Sequence, residues 1–345
     1  MTTLTQAIRP TRSVSTAVLS GLGVAAVLLA LGVVRGSGSS STALTVVVAG
    51  LAYLALAYAA VLVVQGRRAA LDRLFTHLAW GSFLLALVPL VSVVALVVKN
   101  GSRRFDAAFL THSLRGIGPR DTNGGAYHAV IGTVEQVGLA SLIAIPVGLL
   151  AAVYVVEHGH GPLVGAVRFV TDVMTGIPSI VAGLFVFTFW VLALGQGFSG
   201  FAAAISLAIL MLPTVVRTTE VVLGLVPDTL REASLALGVP RWKTVTRVVL
   251  PTAMSGITTG IVLAIARVTG ETAPLLLTAL NFDSINANPF KGQQAGLPSF
   301  VFAQAGQPQH AAIDRAWAGA LTLLLLVLLL NLVARLVARR TRLKG

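Results

Sequence analysis

Cysteine is missing from all 345 residues, which excludes a disulfide framework, thiolate metal sites and cysteine nucleophiles. Charge is scarce too. Only 11% of residues are Asp, Glu, Lys or Arg, less than half of the roughly 25% usual in globular domains, and this argues against a soluble fold. Acidic residues number 12 against 25 basic ones, a formal charge of +13. In a soluble chain that excess would suggest nucleic acid, but here the basic residues sit between apolar blocks, and no nucleic-acid partner is expected. Aromatic anchors are few, with four Trp and four Tyr, which leaves Lys and Arg to carry the topological signal. The G-x-x-x-x-G-K-[ST], H-E-x-x-H and G-x-S-x-G patterns of nucleotide, peptide and ester hydrolysis are all absent. No catalytic residue is expected, and the chain does not read as an enzyme. His158-Gly-His160 lacks a nearby third ligand, so no metal site is expected either.

What the sequence has in abundance is apolar side chain, 56% of residues, more than aqueous cores in a chain of this size can hide. Stretches long enough to cross a bilayer, about 20 residues each, recur at about 14–34, 43–64, 77–98, 134–156, 172–194, 198–217, 253–279 and 316–336. The pattern predicts an all-α polytopic membrane protein with about eight transmembrane helices. The first stretch lacks a small-residue cleavage site and reads as a mature helix, not a signal peptide. With the N-terminus inside, sixteen Lys and Arg fall in inner segments and eight in outer ones; the positive-inside rule then places both termini in the cytoplasm. Five basic residues in the outer 99–126 loop run against this count, and an anionic ligand arriving there is one explanation. Pro89, Pro146, Pro178, Pro213 and Pro274 fall inside predicted spans, and each removes a backbone donor and favours a bend. The aliphatic run Leu323 to Leu330 is expected to face lipid.

The inner loop 220–252 is too patterned for a simple connection. Leu230, Ala233, Ser234 and Leu237 share a helical face, Gly238 suits a left-handed cap, and Pro240 prevents continuation. A second helix is predicted from about Arg241, stopping before Pro251. Its Arg241, Lys243 and Arg247 border Trp242, Val245 and Val249, a basic rim beside an apolar stripe that fits docking on a cytosolic protein. Thr229-x-x-Glu232 also has the form of an ordinary capping box.

The run Glu232-Ala233-Ser234, three residues, Gly238, nine residues, Val248, one residue, Leu250-Pro251 resembles the E-A-A coupling motif of the binding-protein-dependent permeases of ABC importers, with Ser for the third position and Val for Ile. That resemblance implies a cytoplasmic hairpin at 228–251 seated on a separate ATP-binding subunit, with ATP bound by the partner and no cofactor in this chain. Glu232, Ala233, Ser234, Gly238, Leu250 and Pro251 are its candidate coupling residues.

The segment Arg267-Val268-Thr269-Gly270-Glu271-Thr272-Ala273-Pro274-Leu275-Leu276, together with Gly176-Ile177-Pro178-Ser179-Ile180, is similar to the A-type permeases of phosphate-specific (Pst) importers. The likeness covers about 77–337. It implies a six-helix permease core at 77–345 preceded by two extra spans at 1–76, a bacterial plasma-membrane location, a sister permease, and an extracytoplasmic phosphate-binding protein. The residues themselves point to anion chemistry. An arginine in mid-membrane costs about 2.5–3.5 kcal/mol on insertion scales, so Arg267 needs a partner or a polar cavity. Glu271, four residues on, shares a face with it on a continuous helix and can pair. For hydrogen phosphate, Arg offers a planar donor fork and a carboxylate accepts the remaining proton. Arg267, Glu271, Thr269 and Thr272 are therefore the candidate substrate path. An internal ion pair at Arg267–Glu271, and threonines bonded to their own helix carbonyls, are the alternatives. A permease for another oxyanion or an organic solute, or an ion-coupled secondary transporter, are the competing functions.

Overall fold

The computed structural model describes residues 14–36 and 41–342. Of the basic residues that set the expected orientation, Arg9, Arg12 and Lys344 lie outside this range. The chain divides into two compact units, 1–94 and 95–345.

In the first unit, α1 (Thr16–Gly36) and α2 (Thr42–Gln65) pack side by side and are followed by α3 (Arg67–Gly101), whose last turns belong to the second unit. Few of their residues are buried, and Val14, Val61 and Ala70 form a small apolar cluster. Side chains such as Val24, Leu28, Val63 and Leu85 are exposed, as expected of helices whose outer solvent is lipid. The Tyr53 hydroxyl lies 3.2 Å from His77 Nε2, a polar link between α2 and α3.

The second unit is built on α5 (Tyr127–His158) and α8 (Gly200–Gly224), its most extensively packed pair. Small residues make that approach possible: Ala140, Ala144, Ala203, Ala204 and Ala208 share a core with Leu207, Met211 and Val215. Around them lie α4 (Ala107–Thr111), α6 (Pro162–Thr175), α7 (Ser179–Val186) with a π-helical extension Phe187–Ala193, and α9 (Asp228–Ala236). Next come α10 (Arg241–Thr244) with a π-helical segment Val245–Val249, α11 (Leu250–Thr269), α12 (Ala273–Thr278), α13 (Leu297–Ala305) and α14 (His310–Arg342). The described residues contain no β-strand, only an isolated bridge between Ser199 and Gly292. Among the described residues, seven helices are long and apolar enough to cross a membrane, or eight if the bent pair α6–α7 counts as one span.

Two expected spans are broken. The stretch predicted at 172–194 bends by 107° between α6 and α7, at Gly176-Ile177-Pro178, and the one predicted at 253–279 stops at Thr269 and restarts at Ala273. By contrast, α3, α5 and α8 run through Pro89, Pro146 and Pro213. The breaks are stabilised against each other. A Cβ on Gly183 of α7 would stand 2.6 Å from the Pro274 Cα of α12, so only glycine allows the two half-helices to lie in backbone contact. A third correction concerns the second arm of the hairpin. It does not stop before Pro251, because α10, the π-helical segment and α11 form one continuous helix from Arg241 to Thr269. A π-turn just ahead of a proline relieves the clash of its ring with the preceding turn, so the helix passes through. On α14, Leu323 and Leu326 pack on the core while Leu325, Leu328 and Leu329 are exposed; the leucine run thus has one inward and one outward face.

Candidate functional site

Beside the two breaks lies a cavity of about 210 Å³ lined by Met174, Thr175, Ile177, Leu210, Pro213, Thr214, Arg217, Thr218 and Arg267. Each wall has a local cause. Helix α6 ends at Thr175 because Pro178 disfavours helical backbone before it, which brings Met174 to Ile177 to the rim. Helix α11 lies close to α8 because Gly260 sits against Thr218, and Arg267 occupies the last turn of α11. Arg217 is shared between the cavity and an ion cluster. It pairs with Asp172 of α6 and, at 2.9 Å, with Glu220, which also accepts from Arg168 at 3.1 Å. The Arg267 guanidinium has no ion-pair or hydrogen-bond partner among the described residues. Thr175 and Thr218 donate to the carbonyls of Thr171 and Thr214, whereas the Thr214 hydroxyl has no such partner among the described residues. Two arginines line one small cavity, Arg217 paired with two carboxylates and Arg267 with no partner among the described residues, and the unpaired cation can accept an anion.

Not all the residues singled out in the sequence meet there. The Arg267–Glu271 pair does not form, because α11 has ended before Glu271 and the four-residue spacing no longer puts both on one face. Glu271 is half-buried, and its backbone N–H donates to the Val268 carbonyl. Thr269 is buried and donates to its own helix at Ile265, and Thr278 does the same at Pro274. Thr272 lines a different, apolar hollow with Gly270, Pro298, Val301 and residues of α14. A Cβ on Gly270 would meet only the Arg267 carbonyl, at 3.8 Å, whereas α7 and α12 meet closely at Gly183.

The second candidate region is the hairpin α9–α10. Gly238 has φ +77, the left-handed conformation that ends α9. Ser234 and Thr244, one from each arm, are buried with their hydroxyls 2.9 Å apart. The capping box does not occur: Pro227 holds the cap position and Glu232 is exposed without a side-chain partner. Ala233, Leu237 and Trp242 are exposed as well, Leu237 at 84% and Trp242 at 64%, and Lys243 Nζ sits 5.3 Å from the Trp242 ring centre. Leu250 is partly buried at the hairpin base, and Pro251 is exposed in the first turn of α11. The hairpin therefore presents an apolar and basic tip with a free carboxylate beside it.

Of the five basic residues of the 99–126 loop, Arg104 has structural work: it pairs with Asp106 and donates to the carbonyls of Thr122 and Gly124. Arg315 of α14, 1% exposed, reaches the Gln304 side chain at 2.9 Å and the carbonyls of Gly118, Pro119, Asp121 and Asn123.

Residues 144–343 match the family described as binding-protein-dependent transport system inner membrane component. The phosphate transport system permease protein PstA 1 of Mycobacterium tuberculosis is 48% identical over 280 residues, 80% of this chain and 92% of that one. The chain belongs to this family, as a PstA-type permease. PstA of Yersinia pestis is 39% identical over 79% of this chain and 92% of its own length. A solved bacterial ABC transporter described as importing the acidic polysaccharide alginate aligns with a TM-score of 0.52 at 15% identity. It covers 78% of this chain and 99% of that one, and the likeness there is one of fold. As a PstA-type permease the chain is a multi-pass inner-membrane transport subunit. What sequence reasoning missed in this permease is the ion cluster: Arg168 and Asp172 lie on α6 and Arg217 and Glu220 on α8, so the pairs Arg168–Glu220 and Arg217–Asp172 join two helices, and of the pairs that form only Arg217–Glu220 stands at a spacing that signals it.

Proposed function

We propose that this permease forms half of the translocation path of an ATP-driven importer of inorganic phosphate, with a sister permease, a separate ATP-binding subunit and an extracytoplasmic phosphate-binding protein. Residues 77–345 carry the transport core, preceded by the two extra spans in 1–76. The observation that carries this reading is the small cavity holding the unpaired Arg267 beside Arg217. Its volume of about 210 Å³ amounts to about seven waters at about 30 Å³ each, which suits a tetrahedral oxyanion with a few waters. Sites for organic ligands run to about 300–1,000 Å³. Broken helices beside a binding site are also the usual device of alternating access. The names of the relatives support phosphate as the oxyanion.

In this reading the hairpin and both termini face the cytoplasm, the exposed tip at Leu237, Trp242 and Lys243 seats on the ATP-binding subunit, and ATP is hydrolysed there. Closure of that partner displaces α9 to α11, and the cavity switches its exposure across the membrane. The complete complex in lipid vesicles should accumulate labelled phosphate at the expense of ATP. Arg267→Ala should lower uptake about tenfold or more, since a hydrogen bond to a charged group contributes about 1.5–3 kcal/mol, while the ATPase still copurifies. Undiminished uptake refutes the role of Arg267; retention of a different solute by the associated binding protein refutes phosphate.

A further inference from the structure

At the hairpin end, α5, α8 and α11 are joined by an apolar cluster of Leu149, Val153 and Val156 with Leu223, Val226, Val249, Ala253 and Ile257. Helix α9, which bears Glu232 and Ala233, contributes no residue to it. Its leucines Leu230 and Leu235 are exposed, and its one buried residue, Ser234, bonds to Thr244 within the hairpin. Among the described residues, one side chain of α9 makes polar contacts with the membrane helices and the end of α8. Arg231 is 17% exposed; its Nε donates to Glu157 of α5 at 3.3 Å, and its two terminal nitrogens donate to the carbonyls of Val226 at 2.7 Å and Leu223 at 3.1 Å, and to Asp228 of its own helix at 3.0 Å. The rigid guanidinium fork has donors for all four acceptors; two of these are the carbonyl of Leu223 in the last turn of α8, which also accepts from the Val226 N–H at 3.2 Å, and that of Val226 just past its end.

A displacement of the hairpin reaches α11 through the continuous helix from Arg241. From α9 it reaches α8 through the short connection 225–227, and it reaches α5 and α8 together through the side chain of Arg231. We propose that Arg231 is the positioning residue that transmits movement of the docking helix to α5 and α8, with Glu157 as its counterpart. This rests on the reading of the hairpin as the ATPase dock. Without the link, docking and hydrolysis continue while the α5–α8 pair no longer follows.

The test uses the complete complex in vesicles, with ATP hydrolysis and phosphate uptake read in the same preparation. For Arg231→Met the ATPase is expected to copurify, hydrolysis to stay within about twofold of the parent, and phosphate moved per ATP to fall on the order of tenfold, within the range that coupling free energies span. Glu157→Gln keeps the packing and removes the charge, so it should lower the same ratio several-fold and decide the matter if Arg231→Met fails to assemble. The double variant should be no worse than Arg231→Met alone, because both remove one interaction. An unchanged ratio in Glu157→Gln, additive losses in the double variant, or hydrolysis and uptake falling in parallel would each overturn the proposal. A parent complex that hydrolyses ATP and moves no phosphate instead overturns the importer reading, and the two failures are distinct.

Discussion

The contact between the two broken spans can be tested with one methyl group. Gly183→Ala places a Cβ 2.6 Å from the Pro274 Cα, 3.1 Å from its Cβ and 3.4 Å from a Leu277 methyl carbon. The first partner is backbone, so no rotamer change relieves it, and α7 and α12 must separate by about 1 Å to restore ordinary contact. Overpacking of this kind costs about 1–3 kcal/mol. Pro274 begins the half-helix that follows Arg267 by only a few residues, so the same separation disturbs the cavity wall. The assay is thermal unfolding of the purified complex alongside phosphate uptake. Gly165→Ala on α6, where a Cβ meets nothing within 4 Å, is the control; alanine there is expected to be neutral or stabilising by up to about 1 kcal/mol. Gly183→Ala should lower both the midpoint and uptake. If it matches the control in both, the two breaks are not held by this contact and the account of why these spans break is wrong.

Two further perturbations concern the end of the molecule away from the hairpin. Arg315→Leu leaves up to four loop carbonyls without their donor, at about 1–3 kcal/mol for each that stays buried, so residues 118–124 should become cleavable by protease; equal protection of parent and variant would show that the loop holds itself. Asp106 accepts from the Phe109 N–H at 2.7 Å. That bond, and then the neighbouring Arg104, hold its carboxyl below the ordinary value of 3.8. With the folded pKa lower than the unfolded one, its stabilisation is present above about pH 4 and is lost as pH falls through the folded value. Hydrogen exchange at the Phe109 amide should accordingly be slower in the parent than in Asp106→Ala at pH 7, with the difference vanishing in strong acid; a difference that persists there removes the carboxylate from the explanation.

Which features were legible in the sequence follows from the range of the forces involved. Span existence was legible because it depends on the local density of apolar residues over about 20 positions. The hairpin turn was legible because Gly238 and Pro240 act on the backbone at their own positions. The breaks were not. Pro89, Pro146 and Pro213 look like Pro178 and Pro274 in the sequence, yet the helices run through the first three, and what sets the last two apart includes a contact between residues 183 and 274 that no local pattern records. The same blindness misplaced Glu271, whose spacing from Arg267 implies proximity only on an unbroken helix. It also hid the ion pairs of Asp172, Arg168 and Glu157, which join residues far apart in the chain. Of the candidate path residues only Arg267 lines the cavity, because a long cationic side chain in an apolar span is informative by itself, whereas a threonine satisfies its own helix as readily as a ligand.

Arg267 also separates stability from function in a way that structural arginines do not. Arg315 and Arg231 are each met by four or five acceptors, and replacing either should weaken the fold. Arg267 has no such partners among the described residues, and on insertion scales Arg costs about 2.5–3.5 kcal/mol at mid-span where Leu contributes about −0.3 to −0.6. Arg267→Leu should therefore favour membrane insertion by up to about 3–4 kcal/mol, less where water in the cavity already solvates the guanidinium, while it removes the unpaired charge proposed to meet the anion. The expected result is two changes of opposite sign: equal or greater yield and thermal midpoint of the membrane complex, and loss of phosphate uptake. A variant that loses stability and uptake together would mean that Arg267 is held by the assembled complex as a structural ion, and the cavity would then need another residue to receive the anion.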